Sequence, residues 1–208
     1  MMYERTAGAS LLIGGLLGVG AILIHPLALT HERTVPAHVL LLLGALLILL
    51  GLPALLTRQG AKASRVGAVG LVMVFLGLAF IDVLHSVLDI SALPALMSDP
   101  VTHHLVSEQG SFGQALGKTP YMLLTMLGGP LLLLGLPLFG WSLWRTLPVR
   151  WLAAPLFVIP VLLVAGFAIL PLLTLGQGAL YATLGLLGTT LLRAPREATS
   201  APAVLSHA

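Results

Sequence analysis

The feature that most constrains this chain is a run of 42 residues, from Trp151 to Leu192, that contains no charged side chain. A single α-helix of that length would measure about 63 Å, whereas the apolar core of a bilayer is about 30 Å thick. The run therefore predicts two membrane crossings. Pro171 and the stretch Gly176–Gln177–Gly178 mark the turn between them.

Four more apolar runs precede it, at 6–30, 34–57, 66–88 (interrupted by Asp82) and 119–144. Charged residues make up only 8% of the chain and hydrophobic residues 58%. This composition excludes a soluble domain, a disordered chain and a nucleic-acid-binding protein. We predict an all-α fold, an integral membrane bundle of six transmembrane helices in the lipid bilayer, at about 7–29, 35–56, 66–90, 119–144, 151–170 and 172–192.

The basic residues predict the orientation of this bundle. Only Arg33 and Lys118 fall on one side of it, and eight of the ten fall on the other: Arg5, Arg58, Lys62, Arg65, Arg145, Arg150, Arg193 and Arg196. Cytoplasmic loops of membrane proteins carry such an excess. We therefore expect a protein of the cell membrane with both termini in the cytoplasm. A five-helix alternative ranks second, because it places Arg193 and Arg196 outside.

Two segments lie outside the predicted helices. The outer loop 90–118 contains helix start and stop signals at Asp99–Pro100 and Gly110, and the short helix between them carries His103, His104 and Glu108. We expect this loop to fold over the outer end of the bundle. Residues 1–193 form the transmembrane domain in this interpretation, and 194–208, rich in Ala, Ser and Pro, form a disordered cytoplasmic tail.

Three short motifs carry a resemblance. Residues 55–59 read Leu-Leu-Thr-Arg-Gln, 67–71 read Gly-Ala-Val-Gly-Leu, and 93–96 read Leu-Pro-Ala-Leu. Together they resemble a family of small, uncharacterised bacterial membrane proteins of about six helices from high-GC genomes. The similarity spans roughly residues 50 to 165. It implies a topology and no established activity.

Histidines are concentrated on the predicted outer side. Six of the seven histidines lie there, together with five of the seven acidic residues. Avoidance of positive charge on the outer side explains why Lys and Arg are scarce there, but it does not explain why histidines accumulate. His25, His38 and His85 should lie at similar depth, just below the outer surface. Asp82, His85 and Asp89 are spaced i, i+3, i+7 and should share one helix face.

Asp82 is the deepest of these groups, and a carboxylate inside the apolar slab costs at least about 2.5 kcal/mol. It should therefore face the bundle and accept a ring N–H from a histidine, with His85 as partner in a proton relay or a buried polar pair. Imidazoles with a carboxylate also suit a divalent metal such as zinc. The candidate metal ligands are His25, His38, His85, Asp82 and Asp89, with His103, His104 and Glu108 as further candidates in the loop.

Four functions remain open for a multi-pass protein of this kind. The first is metal binding, which could extend to metal-dependent hydrolysis, although no HExxH motif is present. The second is a b-type haem or quinone site between facing histidines. The third is a proton-linked carrier or sensor. The fourth is a structural or partner-binding membrane protein without chemistry, in which the polar residues only fix packing or reach interfacial water. The absence of cysteine excludes thiol catalysis and Cys-based zinc sites, and no motif identifies an enzyme.

Overall fold

The computed structural model describes residues 2–24, 31–91, 98, 120–148, 150–166 and 168–193. Over these residues the protein is an all-helical bundle with no strand. Its six helices are α1 (Met2–Ile24), α2 (His31–Thr57), α3 (Arg65–Ser91), α4 (Pro120–Thr146), α5 (Pro155–Gly166) and α6 (Leu170–Leu192). Short 3₁₀ turns at Gly60–Lys62 and Arg150–Ala153 precede α3 and α5.

Five of the helices are long and apolar enough to cross a membrane, which confirms the predicted class of helical membrane bundle. The exception is α5, which with its 3₁₀ turn spans Arg150–Gly166. At 1.5 Å per residue this segment is about 25 Å long, slightly less than the apolar core of a bilayer. A sixth crossing, and with it the cytoplasmic position of both termini, stays a prediction.

The turn between α5 and α6 lies earlier than the sequence pattern predicts. Ile169 has an extended backbone and ends the turn. Pro171 lies in the first turn of α6, where backbone N–H groups have no acceptor within the helix, so the N–H that proline lacks is not needed. The stretch Gly176–Gln177–Gly178 lies inside α6. Gly176 packs there against α5, since a Cβ on it would lie 3.0 Å from a methyl group of Leu163.

Glycines bring α1 into backbone contact with both α2 and α6. A Cβ on Gly14 would lie 2.7 Å from the carbonyl oxygen of Gly44 in α2. A Cβ on Gly15 would lie 2.6 Å from the Cα of Gly185 in α6. No side chain fits at such separations, and small residues are what allow membrane helices to approach this closely. Helix α1 is therefore wedged between α2 and α6.

A second close pair joins α3 to α4. A Cβ on Gly70 would lie 2.5 Å from the backbone nitrogen of Phe139, and one on Gly135 would lie 2.7 Å from that of Val74. At one end of this pair, the hydroxyl of Ser142 donates a 2.6 Å hydrogen bond to the side-chain oxygen of Gln59, and both residues are buried. This contact ties the end of α2 to α4.

Helix α3 contains one irregular segment, the π-helical turn Ala79–Val83. A π-helical turn accommodates one more residue than an α-helical turn. The buried face that includes Gly70, Val74 and Gly77 would continue through Ile81, His85 and Leu88 in an unbroken α-helix. The extra residue shifts that face by one position, and the residues buried beyond it are Asp82, Ser86 and Asp89. Beyond the irregular turn, the buried face of α3 thus carries both carboxylates and Ser86.

Candidate functional site

Among the described residues, His38, His85 and Asp89 form a polar cluster between two helices, called here the His–Asp cluster. His38 lies near the start of α2, and His85 and Asp89 lie one turn apart near the end of α3. Asp89 Oδ2 lies 2.7 Å from Nε2 of His38 and 3.2 Å from Nε2 of His85. The two rings meet edge to face, with centroids 5.4 Å apart. One carboxylate therefore contacts imidazoles from two helices.

The cluster is buried on one side and accessible on the other. His38 and Asp89 are 2% and 6% exposed, whereas the side chain of His85 is 42% exposed. The packing of α2 against α3 holds the first two residues in place. The His85 ring lies at the accessible edge of the cluster, and the Asp89 carboxylate lies behind it.

Ser86 adds another polar group to the buried face of α3. It is fully buried, and within the part of the chain that the structure describes its hydroxyl has no hydrogen-bond partner. Buried hydroxyls are nearly always hydrogen-bonded in proteins. This face therefore has hydrogen-bonding capacity beyond the two acids.

Donor atoms of His38, His85 and Asp89 all lie within 4.8 Å of one another, as metal ligands must. Two ligands at 2.0–2.1 Å from a tetrahedral ion are about 3.3 Å apart. The separation of 3.2 Å between His85 and Asp89 matches this value. The separation of 2.7 Å between His38 and Asp89 is that of a hydrogen bond, and an ion would lengthen it by about 0.6 Å. The two separations from Asp89 are therefore each within about 0.6 Å of the value that a tetrahedral ion requires, and the donor atoms of the two histidines are at most 4.8 Å apart.

Asp82 belongs to a different contact. Its Oδ2 accepts a 2.8 Å hydrogen bond from the hydroxyl of Tyr181 in α6, and both residues are buried. The sequence pattern predicts a histidine as the donor to Asp82, whereas the structure places the Tyr181 hydroxyl there. The ring of Tyr181 lies against Gly18 of α1, where a Cβ would collide with it. Gly18 thus makes room for the tyrosine that reaches Asp82.

The structure therefore divides the predicted site residues into two groups. His38, His85 and Asp89 form one cluster, and Asp82 pairs with Tyr181, a residue that the sequence analysis missed. The signal for Tyr181 was available, since it is a lone hydroxylated aromatic in the middle of an apolar span. The other candidates, His25, His103, His104 and Glu108, lie outside the described residues, as do nearly all of loop 90–118 and the whole tail 194–208.

No protein-family model, curated protein or solved structure matches this chain. The class of this protein is therefore defined here by its fold and by the His–Asp cluster. This is a helical membrane bundle whose described residues include a His–Asp–His group with the spacing of metal ligands.

Proposed function

We propose that this membrane protein binds a divalent transition-metal ion such as Zn²⁺ through the His–Asp cluster. The observation that carries the proposal is the position of the Asp89 carboxylate within 3.2 Å of imidazole nitrogens from two helices. Two neutral imidazoles and one carboxylate form a ligand set that zinc accepts. The spacing of the donor atoms supports such an ion.

Three protein ligands leave a fourth position of a tetrahedral ion open, as in catalytic rather than purely structural zinc sites. The exposed edge of His85 supports an open position on that side of the cluster. A bound ion would supply a polarised water or a vacant position for a small ligand. Metal-dependent hydrolysis requires such an open position. Hydrolysis, metal sensing and metal transfer share the property that a metal ion binds.

The cluster lies near the ends of α2 and α3, so it is close to one membrane surface. The excess of Arg and Lys at the opposite ends of these helices, at Arg58, Lys62 and Arg65, favours the outer surface. We therefore propose a cell-membrane protein with cytoplasmic termini that takes its metal ion from the outside.

The geometry favours this function over a b-type haem. Two axial histidines bind on opposite sides of the porphyrin plane, with the iron between their nitrogens. In this structure Oδ2 of Asp89 is within hydrogen-bond distance of both Nε2 atoms, so a carboxylate lies where the macrocycle would have to fit. The same contacts suit a small ion.

The test is zinc titration of the full-length protein in detergent micelles, followed by calorimetry and elemental analysis. The protein should carry no polyhistidine tag, because a tag would itself bind zinc. We expect one ion per chain for the wild type. Asp89→Asn, which keeps the shape and removes the charge, should weaken binding at least about tenfold. Substitution by Co²⁺ should give the visible absorption bands of a tetrahedral site.

Asp82→Asn is the matched control. It makes the same chemical change on the same helix, at a buried carboxylate that contacts Tyr181 and lies outside the cluster. Its zinc affinity should equal that of the wild type. Equal binding by Asp89→Asn and the wild type, or an equal loss in both variants, would contradict the proposal.

A further inference from the structure

A cavity of about 570 Å³ lies between α3, α4, α5 and α6. Nine of its twelve lining residues are apolar. The other three are Asp82, Gln177 and Tyr181. Pockets that bind small organic molecules are typically about 300–1,000 Å³ and combine mostly apolar walls with a few polar groups. The cavity therefore has the size and lining of a ligand site.

The polar groups share one wall. Gln177 and Tyr181 are one turn apart on α6, and the hydroxyl of Tyr181 donates a hydrogen bond to the carboxylate of Asp82 in α3. The carboxylate can accept a further hydrogen bond, and the amide of Gln177 can both donate and accept. A hydroxyl group is complementary to this wall, since it can donate to Asp82 while it accepts from Gln177. A purely apolar molecule would leave the amide of Gln177 and the remaining acceptor capacity of Asp82 unused.

The cavity reaches the surface of the bundle between helices. Met126, on its rim, is 63% exposed. Asp82 lies about 26 Å along α3 from Arg65, a depth that falls within the apolar slab of a bilayer. In the membrane, a ligand would therefore enter from the lipid phase. Such a molecule must itself dissolve in lipid, which excludes ions and sugars.

We propose that this cavity binds a membrane-soluble lipophile that ends in a hydroxyl group. The hydroxyl lies between Asp82 and Gln177, and the apolar part packs along Leu133, Leu163 and Leu173. A prenylated quinol and a long-chain alcohol share this chemistry. The cavity shares no residue with the His–Asp cluster, and Asp82 and Asp89 are seven residues, or about 10 Å, apart along α3.

Thermal unfolding of the full chain in lipid nanodiscs tests the proposal with three probes: decylubiquinol, 1-dodecanol and dodecane. At saturation, a hydroxylated probe should raise the Tm by about 3 °C, and dodecane should not. A shift with decylubiquinol alone identifies a quinol site, and equal shifts with both hydroxylated probes identify a site for long-chain alcohols. The absence of any shift, or an equal shift with dodecane, overturns the proposal.

Glycine provides a matched pair of variants. A Cβ on Gly129, which lines the cavity, meets no atom within 4 Å, and the same holds for Gly20 on α1, away from the cavity. Gly129→Phe should fill the cavity and abolish the shift in Tm, and Gly20→Phe should keep it. Gln177→Leu provides a second test, since it keeps the cavity and removes the amide, and its shift should be much reduced. A full shift in both Gly129→Phe and Gln177→Leu refutes the assignment.

Discussion

The hydrogen bond from Tyr181 to Asp82 can be measured by a double-mutant cycle. Tyr181→Phe removes one oxygen and leaves the Asp82 carboxyl, which is only 5% exposed, without the donor at 2.8 Å. A hydrogen bond to a charged group contributes about 1.5–3 kcal/mol, and burial at this depth leaves little solvent to replace it. Tyr181→Phe should therefore lower the free energy of unfolding by about 1.5–3 kcal/mol.

The second variant, Asp82→Leu, removes the carboxyl instead. Adding Tyr181→Phe to Asp82→Leu should cost little, because no buried polar group of the pair then remains unsatisfied. The coupling energy is therefore also about 1.5–3 kcal/mol. Reversible unfolding in mixed micelles with increasing SDS, followed by tryptophan fluorescence, measures all four proteins.

A second tyrosine controls for the loss of a hydroxyl. Tyr3 is 55% exposed, and Tyr3→Phe should change the free energy of unfolding by less than about 0.5 kcal/mol. A coupling energy between positions 82 and 181 that is also below about 0.5 kcal/mol would refute the reasoning. The pair would then be two neighbouring groups with no energetic link.

Three further outcomes are expected. Gly15→Ala should be less stable than Gly20→Ala by about 1–3 kcal/mol in the same unfolding assay. Both substitutions raise helix propensity, but only the methyl group at position 15 forces two helix backbones apart. Equal stabilities would contradict the close packing of α1. Ser142→Ala should cost about 1–3 kcal/mol, since it removes the donor to the buried oxygen of Gln59, and an unchanged midpoint would show that this contact is unimportant. Zinc affinity should fall as the pH is lowered through the range in which imidazoles take up protons, because the ion and protons compete for the same nitrogens. Calorimetry between pH 8 and pH 5 checks this prediction. Asp89→Asn should bind zinc weakly at every pH in this range.

The class of fold could be predicted because it depends on a local quantity, the length of each charge-free run. The bounds of the last two helices were harder to obtain. The 42 residues from Trp151 to Leu192 contain no charge to mark the turn, and Gly176, one of the two glycines that suggested one, serves a close helix contact instead. In membrane helices glycine can serve close helix packing as well as a turn, so its presence alone does not distinguish the two.

The candidate site could be predicted in its residue types and only partly in its pairings. The pattern brought His38 and His85 together, and the structure places their rings 5.4 Å apart. It assigned a histidine to Asp82, because spacing along one helix cannot reveal which residue of another helix lies opposite. The π-helical turn in α3 also has no simple signal in the sequence, and it decides which side chains of Leu84–Ser91 face inward.

The π-helical turn sets the register of the end of α3, and an unbroken α-helix there would give a different one. With the π turn in place, Asp89 meets His38; if the same residues relaxed to an unbroken α-helix, Leu84–Ser91 would rotate by about 100° and Leu88 would take that position. An ion held by His38 and Asp89 binds only the first register, so it stabilises that register by its own binding free energy. Metal binding at the end of α3 would therefore favour the backbone that contains the π-helical turn Ala79–Val83.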